Sequence, residues 1–365
     1  MERRSEFVGR DREMSVLEEA FAGARAGSGR LVLVAGEAGM GKSRLVEELS
    51  AKIRPGGARM FWGRCWEAGG APAYWPWVQA LRAHVRAASA DSLRQELANG
   101  AADVAQILPE IRTVLPDIGE ADAVETDAAR FRLFDSVASW LRALAADGVV
   151  VLVLEDIHAA DTPSLLLMEF VGHSLGDMPV LLVATYRDDE VRRSDPLAAA
   201  LVDLARLPST IRIDLRGLAS ADVRRYIESA SGLPASGTLV DAIAARTEGN
   251  PLFLTEVVRL LESEGRLSST TGISPEPIPQ RIRDVFVRRF ALVSTSCHEL
   301  LRIASVLGRE FRIDVLIELA DATPDSVYQA IDEARAARLL TDNPGVVHAV
   351  RFAHALIRDA LYEEL

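Results

Sequence analysis

An apolar run, Leu31-Val32-Leu33-Val34, leads into Gly36, four spacer residues, and then Gly41-Lys42-Ser43, filling every fixed position of the pattern G-x-x-x-x-G-K-[ST]. Each fixed residue has a mechanical task that a strand, a tight loop and a helix in succession can serve. Glycines at 36 and 41 let the backbone wrap closely around phosphate oxygens. Lys42 places a cation near the β- and γ-phosphates, and Ser43 offers a hydroxyl to Mg²⁺. Arg44-Leu45-Val46-Glu47-Glu48-Leu49 continues with helical spacing. An anion in the loop would therefore meet a helix N-terminus, where backbone N–H groups and the helix dipole favour negative charge. Gly36, Gly41, Lys42 and Ser43 are the primary candidate contacts, with Ala38, Gly39, Met40 and Arg44 completing the loop and first turn.

Strand-like apolar runs recur at 31–35, 58–62, 149–154, 180–184 and 211–215, separated by segments of helical patterning. Such alternation predicts an α/β unit: a parallel five-stranded sheet covered on both faces, the usual setting for a phosphate loop after the first strand. Between the second and third runs lies a long helical insertion. It includes a helix over 126–146 with Phe131, Phe134, Val137, Leu141 and Leu144 as one apolar stripe. Past Gly217 the strand signals fade, and helices are expected at 220–229, 239–246 and 251–264. Residues 268–277 are polar and Pro-rich, as a linker would be. Helices at about 279–290, 295–307 and 323–337 then precede two short strands, Leu339 to Thr341 and Val346 to Phe352, separated by Asn343-Pro344-Gly345. Three helices and a strand pair predict a winged helix. The expected domains are 1–216 for the nucleotide-binding unit, 217–270 for a helical lid and 277–365 for the winged helix. A closing helix from Ala355 to Leu365 carries neither a C-terminal cap nor a tail, so part of a longer protein is expected.

Composition narrows the setting. A net charge of −12 argues against a general nucleic-acid surface, and direct DNA binding by this segment is not expected. Two distant cysteines, Cys65 and Cys297, form neither a disulfide framework nor a zinc pattern, which fits a reducing cytoplasm. No signal sequence and no membrane span are visible.

The third apolar run, Val149 to Leu154, ends in Glu155-Asp156. Beside a phosphate loop, one carboxylate is needed to hold Mg²⁺ and another to orient the attacking water. By position Glu155 takes the metal and Asp156 acts as base, although the sequence leaves the reverse assignment open. The fourth run ends in Ala184-Thr185-Tyr186-Arg187, and Arg187 is the candidate γ-phosphate sensor. Phe61-Trp62, Trp66 and Tyr74-Trp75-Pro76-Trp77 contain four of the five tryptophans and read as helix-to-sheet packing.

Together these motifs resemble the STAND class of AAA-related signal-transduction ATPases, found in large LuxR-type bacterial transcription regulators. The resemblance rests on Phe7-Val8-Gly9-Arg10, the phosphate loop, Leu154-Glu155-Asp156-Ile157-His158-Ala159-Ala160-Asp161, Ala184-Thr185-Tyr186-Arg187, Gly249-Asn250-Pro251-Leu252-Phe253 and Phe352-Ala353-His354-Ala355-Leu356-Ile357-Arg358. It departs from the family pattern at Ala159, where a Trp is common. The resemblance implies that Val8 and Gly9 lie by the adenine, that Pro251 packs on the base, and that His354 approaches the phosphates in a closed ADP state. It also implies ATP or ADP with Mg²⁺, slow regulatory hydrolysis, C-terminal sensor and DNA-binding domains, and self-assembly on activation. Rival readings are an origin-recognition-like DNA-associated ATPase, which the acidity disfavours, and a P-loop phosphotransferase, which the long helical tail disfavours.

Overall fold

The computed structural model describes residues 7–66, 70–121, 126–191, 195–263, 286–287, 289–337, 339–342 and 349–365. The expected linker at 268–277, most of the helix at 279–290 and the turn at 343–345 lie outside the described residues. One compact unit spans Arg10–Leu215; a second comprises Arg216–Leu365 with the segment ending at Gly9.

The first unit is built on five parallel strands: β1 (Arg30–Ala35), β2 (Arg59–Arg64), β3 (Val150–Glu155), β4 (Val180–Tyr186) and β5 (Thr210–Asp214). Their order across the sheet is β2-β3-β4-β1-β5. Every residue of β3 and β4 is buried, as near-continuous apolar runs require when helices cover both faces. Helices α1 (Asp11–Arg25), α2 (Lys42–Ile53), α3 (Trp75–Ala87), α4 (Ala90–Leu97), α5 (Ala101–Val104), α6 (Glu110–Val114), α7 (Asp127–Leu144), α8 (Thr162–Ser174) and α9 (Pro196–Leu204) complete it. The edge strand β2 takes α3 almost onto its backbone: a Cβ at Gly63 would stand 1.8 Å from the Pro76 carbonyl oxygen.

Helix α7 forms where the sequence predicts it, with the Thr126 hydroxyl capping Ala129 N–H. Its stripe needs one correction, because Phe131 is 60% exposed. At 100° per residue the buried arc runs through Ala129, Leu133, Val137, Trp140, Leu141 and Leu144, and Phe131 falls just past its edge. There it meets Phe170 edge to face instead, at 5.4 Å between ring centres. The aromatic cluster also divides. Trp77 is fully buried and donates its indole N–H to the Ser164 carbonyl at 3.2 Å, whereas Trp66 is largely exposed.

The second unit contains α10 (Ser220–Ser231), α11 (Gly237–Thr247), α12 (Pro251–Ser263), α13 (Thr295–Leu307), β6 (Glu310–Arg312), α14 (Ile313–Ala320), α15 (Pro324–Ala336), β7 (Leu340–Asp342), β8 (Ala349–Phe352) and α16 (Ala355–Tyr362). The last three strands form an antiparallel sheet in the order β6-β8-β7. This order is consistent with the expected winged helix and adds two elements to it, β6 and α14. Strand β6 has a single apolar residue, too few to show alternation, and α14 follows Arg312 without a capping side chain. One core cluster in this unit includes Val8, Leu218, Val223, Leu254, Phe311 and Phe352. Among the described residues no helix is long and apolar enough to cross a membrane.

Asp161 ties the segment behind the acids to its surroundings. It caps α8 by accepting Ser164 N–H at 2.9 Å and the Ser164 hydroxyl at 2.6 Å, and it also accepts Tyr74 N–H at 3.2 Å. Asp161→Ala should therefore destabilise the protein by about 1–2 kcal/mol in urea unfolding, with unchanged m-value. A change within a few tenths of a kcal/mol would show that the cap contributes nothing.

Candidate functional site

Parallel register sets the site. In the β1–β4 pairing Val34 faces Thr185 and Ala35 faces Tyr186; in the β2–β3 pairing Arg64 faces Glu155; in the β3–β4 pairing Leu154 faces Ala184. Strand β4 lies between β1 and β3, so its C-terminal end emerges between the start of the phosphate loop and the acid pair. In open parallel sheets this edge is where ligands bind.

The loop is shaped by backbone that L side chains rarely adopt. Gly41, the residue before α2, has φ +89°, and Gly36 has φ +155° with the Leu215 carbonyl only 2.9 Å from where a Cβ would sit. Lys42 is 8% exposed, and its Nζ donates to the carbonyls of Gly36 at 2.5 Å and Glu37 at 2.9 Å. Burial lowers its pKa and the positive charge of Arg187 lowers it further; Asp156, Asp189 and Asp188 oppose them. An arriving polyanion would favour the charged lysine and relieve this penalty. Ser43 stands in the first turn of α2, while Arg44 pairs with Glu48 one turn on. Ala38 and Gly39 are partly exposed, and the Met40 carbonyl accepts Arg10 Nη2 at 3.1 Å. Arg10, 6% exposed, thus holds the loop from behind. Within Phe7-Val8-Gly9-Arg10 the resemblance points to Val8 and Gly9, and nothing local in the sequence marks this contact of Arg10.

At the acid pair the two carboxylates have different surroundings. Glu155 is 2% exposed; its Oε2 accepts from Arg64 Nε at 3.0 Å and Nη2 at 2.5 Å. Its Oε1 is buried with no hydrogen-bond partner among the described residues. Asp156 adopts a left-handed backbone, φ +58°, and its N–H donates to the Thr185 hydroxyl at 3.2 Å. Such strain in a residue with a Cβ costs about 1–2 kcal/mol and persists where its surroundings hold it. Burial raises the Asp156 pKa; His158, Arg187 and Arg64 oppose the rise and Glu155 adds to it. Arg64 Nε is 3.5 Å from Asp156 Oδ2, so one guanidinium spans both acids. Arg64 does not stand out in the sequence, because its significance comes from strand register; Thr185 lies in the strand-end motif, but its bond to the Asp156 amide does not show there.

The residues attributed to the base and the closed state lie in the second unit. Pro251 opens α12 behind Asn250, whose Oδ1 accepts Leu252 N–H at 3.0 Å. Val8 is buried in that unit's core, and Gly9, at φ +70°, packs on Asp222. His354 caps α16, with Nδ1 accepting Leu356 N–H at 3.1 Å and Nε2 donating to the Thr247 carbonyl at 3.1 Å. Burial lowers its pKa, favouring this neutral ring. Both nitrogens are engaged, so a phosphate contact would have to take over the bond to Thr247.

Residues 6–183 match the family model described as AAA ATPase domain. That stretch, just under half of the chain, is similar to an AAA ATPase domain. Across 98% of its length the chain is 26% identical to the Rhizobium meliloti protein R02095, and it spans about a third of that protein, 35%. In shape the chain is similar to a STAND protein with a tetratricopeptide repeat sensor from Pyrococcus horikoshii, at 15% identity and TM-score 0.40, covering 100% of this chain and 43% of that one. It is similar also to Aeropyrum pernix Orc1 in complex with DNA, at 16% identity and TM-score 0.43, covering 99% and 94%. AMPPCP-bound DnaA from Aquifex aeolicus gives 13% identity and TM-score 0.43, covering 90% and 88%. Nucleotide binding is what the match implies for that stretch.

A raised Asp156 pKa has a definite sign in stability. Its favourable contribution is complete below the ordinary value of 3.8 and is lost as pH rises through the raised value, above which the buried charge is a cost. In the nucleotide-free protein, Asp156→Asn should melt above the parent at neutral pH, and the gap should narrow as pH falls toward 3.8. A gap independent of pH would contradict the shift.

Proposed function

We propose that this chain is the ATP-operated switch module of a STAND-type regulator of the LuxR kind. The observation that carries the reading is the meeting of Lys42, the Glu155-Asp156 pair and Arg187 along one edge of a parallel sheet within an AAA ATPase domain. The loop amides and Lys42 bind the phosphates. Glu155 and Ser43 fit a cation: Ser43 has its hydroxyl at the start of α2, and Glu155 has a buried oxygen without a partner among the described residues. A Mg²⁺ held by Ser43 and Glu155 would supply charge neutralisation to the phosphates of a bound nucleotide. Asp156, held in place through Thr185, orients the attacking water, and Arg187 answers to the γ-phosphate. Slow hydrolysis then serves regulation, since the product that remains decides the conformational state.

The division into residues 1–216, a lid at 217–270 and a winged helix at 277–365 belongs to this proposal. In it Val8 and Gly9 attend the adenine, Pro251 covers the base and His354 closes the ADP state. The protein acts in the cytoplasm, self-associates on activation, and carries sensor and DNA-binding domains in a longer chain.

Thermal unfolding with ADP or ATP·Mg²⁺ tests the reading. At a hundredfold excess over Kd the parent should gain about 2.7 kcal/mol, and Lys42→Ala should lose that gain while keeping its nucleotide-free fold. His354→Ala should weaken ADP more than ATP, because a contact made only in the closed state biases only that state. Equal stabilisation of parent and Lys42→Ala would refute the site. Equal proportional losses for both nucleotides would reduce His354 to a capping residue.

A further inference from the structure

Beyond β4 the chain turns through a short 3-10 segment, Asp188–Glu190. Glu190 folds back on two groups. One of its oxygens accepts Arg187 Nη1 at 2.7 Å, and the other lies 3.4 Å from His158 Nε2. His158 follows Asp156 by two residues, and its side chain is 4% exposed. A single carboxylate therefore binds the arginine that emerges between loop and acids and stands beside the imidazole that follows the acids in sequence. Arg187 lies within electrostatic reach of Lys42 and Asp156, so its position bears on the phosphate site itself.

We propose that Glu190 sets the preference of the site between nucleoside diphosphate and triphosphate, by holding Arg187 until a γ-phosphate competes for its guanidinium. This rests on the nucleotide-binding reading above. A guanidinium presents the same planar fork to a carboxylate and to a phosphate, so the two anions compete for the same donors. A triphosphate has to draw Arg187 from Glu190 to gain its contact. A diphosphate ends short of that contact and leaves the pair intact. The competition is charged to ATP alone, and Glu190 biases the site toward ADP. His158 stands 3.4 Å from the other carboxylate oxygen, short of a hydrogen bond, so the Arg187 pairing is the contact that ATP has to displace.

The test is a double-mutant cycle read by calorimetric titration of ADP and ATP, each with Mg²⁺, into the parent, Glu190→Gln, Arg187→Gln and the double variant. Glu190 is one-third exposed on a surface turn, so Gln at this position leaves packing undisturbed. Because the ion pair is partly exposed, Glu190→Gln should improve the ATP-to-ADP affinity ratio by about two- to fivefold. In the Arg187→Gln background that improvement should vanish. An equal change for both nucleotides, no change, or the same improvement without Arg187 would overturn the proposal while leaving nucleotide binding standing. Failure of the parent to bind either nucleotide would overturn both.

Discussion

The parallel pairing of β1 with β4 and of β4 with β3 is the constraint on which the site depends. Neither the phosphate loop nor the acid pair is a site alone. Hydrogen-bonded register brings the end of β1, where the loop begins, level with the end of β4, and the end of β3 level with both. A slip of one residue would exchange the two faces of a strand, and because both faces of β3 and β4 are buried it would disrupt close packing on both. Core packing thus sets the alignment of the chemistry, since burying a Val or Leu side chain is worth about 1.5–3 kcal/mol.

On that frame the site is a set of charges held under electrostatic tension. Lys42 is buried against loop carbonyls with its charged form penalised, and Asp156 is buried with its ionised form penalised. Arg64 spans the acid pair, and Arg187 is paired with Glu190. A polyphosphate with its cation would rearrange these pairings at once, favouring charged Lys42 and competing for the arginines. A site in which both arginines already hold carboxylates and Lys42 holds carbonyls responds to the ligand by exchange of partners, which is what the proposed switch needs.

Much of this was legible in the sequence. The five strands, the loop, the terminal acids and Arg187 come from local patterns with a physical cause, and the structure places the strands within a residue or two of where the apolar runs put them. Residues whose role comes only from tertiary register were not legible. Arg64 is an ordinary charged strand-end residue until pairing sets it opposite Glu155, and Arg10 reaches Met40 across 30 positions of sequence. Strand β6 escaped because three residues cannot show a period, and Phe131 was misassigned because a wide apolar arc has an uncertain edge. His354 was singled out by resemblance; its capping of α16 could not be read without the neighbouring Thr247 carbonyl.

The central claim is that the loop between Gly36 and Lys42 cradles nucleotide phosphates with its backbone amides. Hydrogen exchange of the amides from Gly36 to Leu45, with and without ATP·Mg²⁺, tests it most directly, because phosphate-bound N–H groups become protected whether or not hydrolysis follows. Strong protection of this segment and of the Asp156 amide, with little change in β5, is the expected result. Unchanged exchange across the loop at saturating nucleotide would contradict the claim.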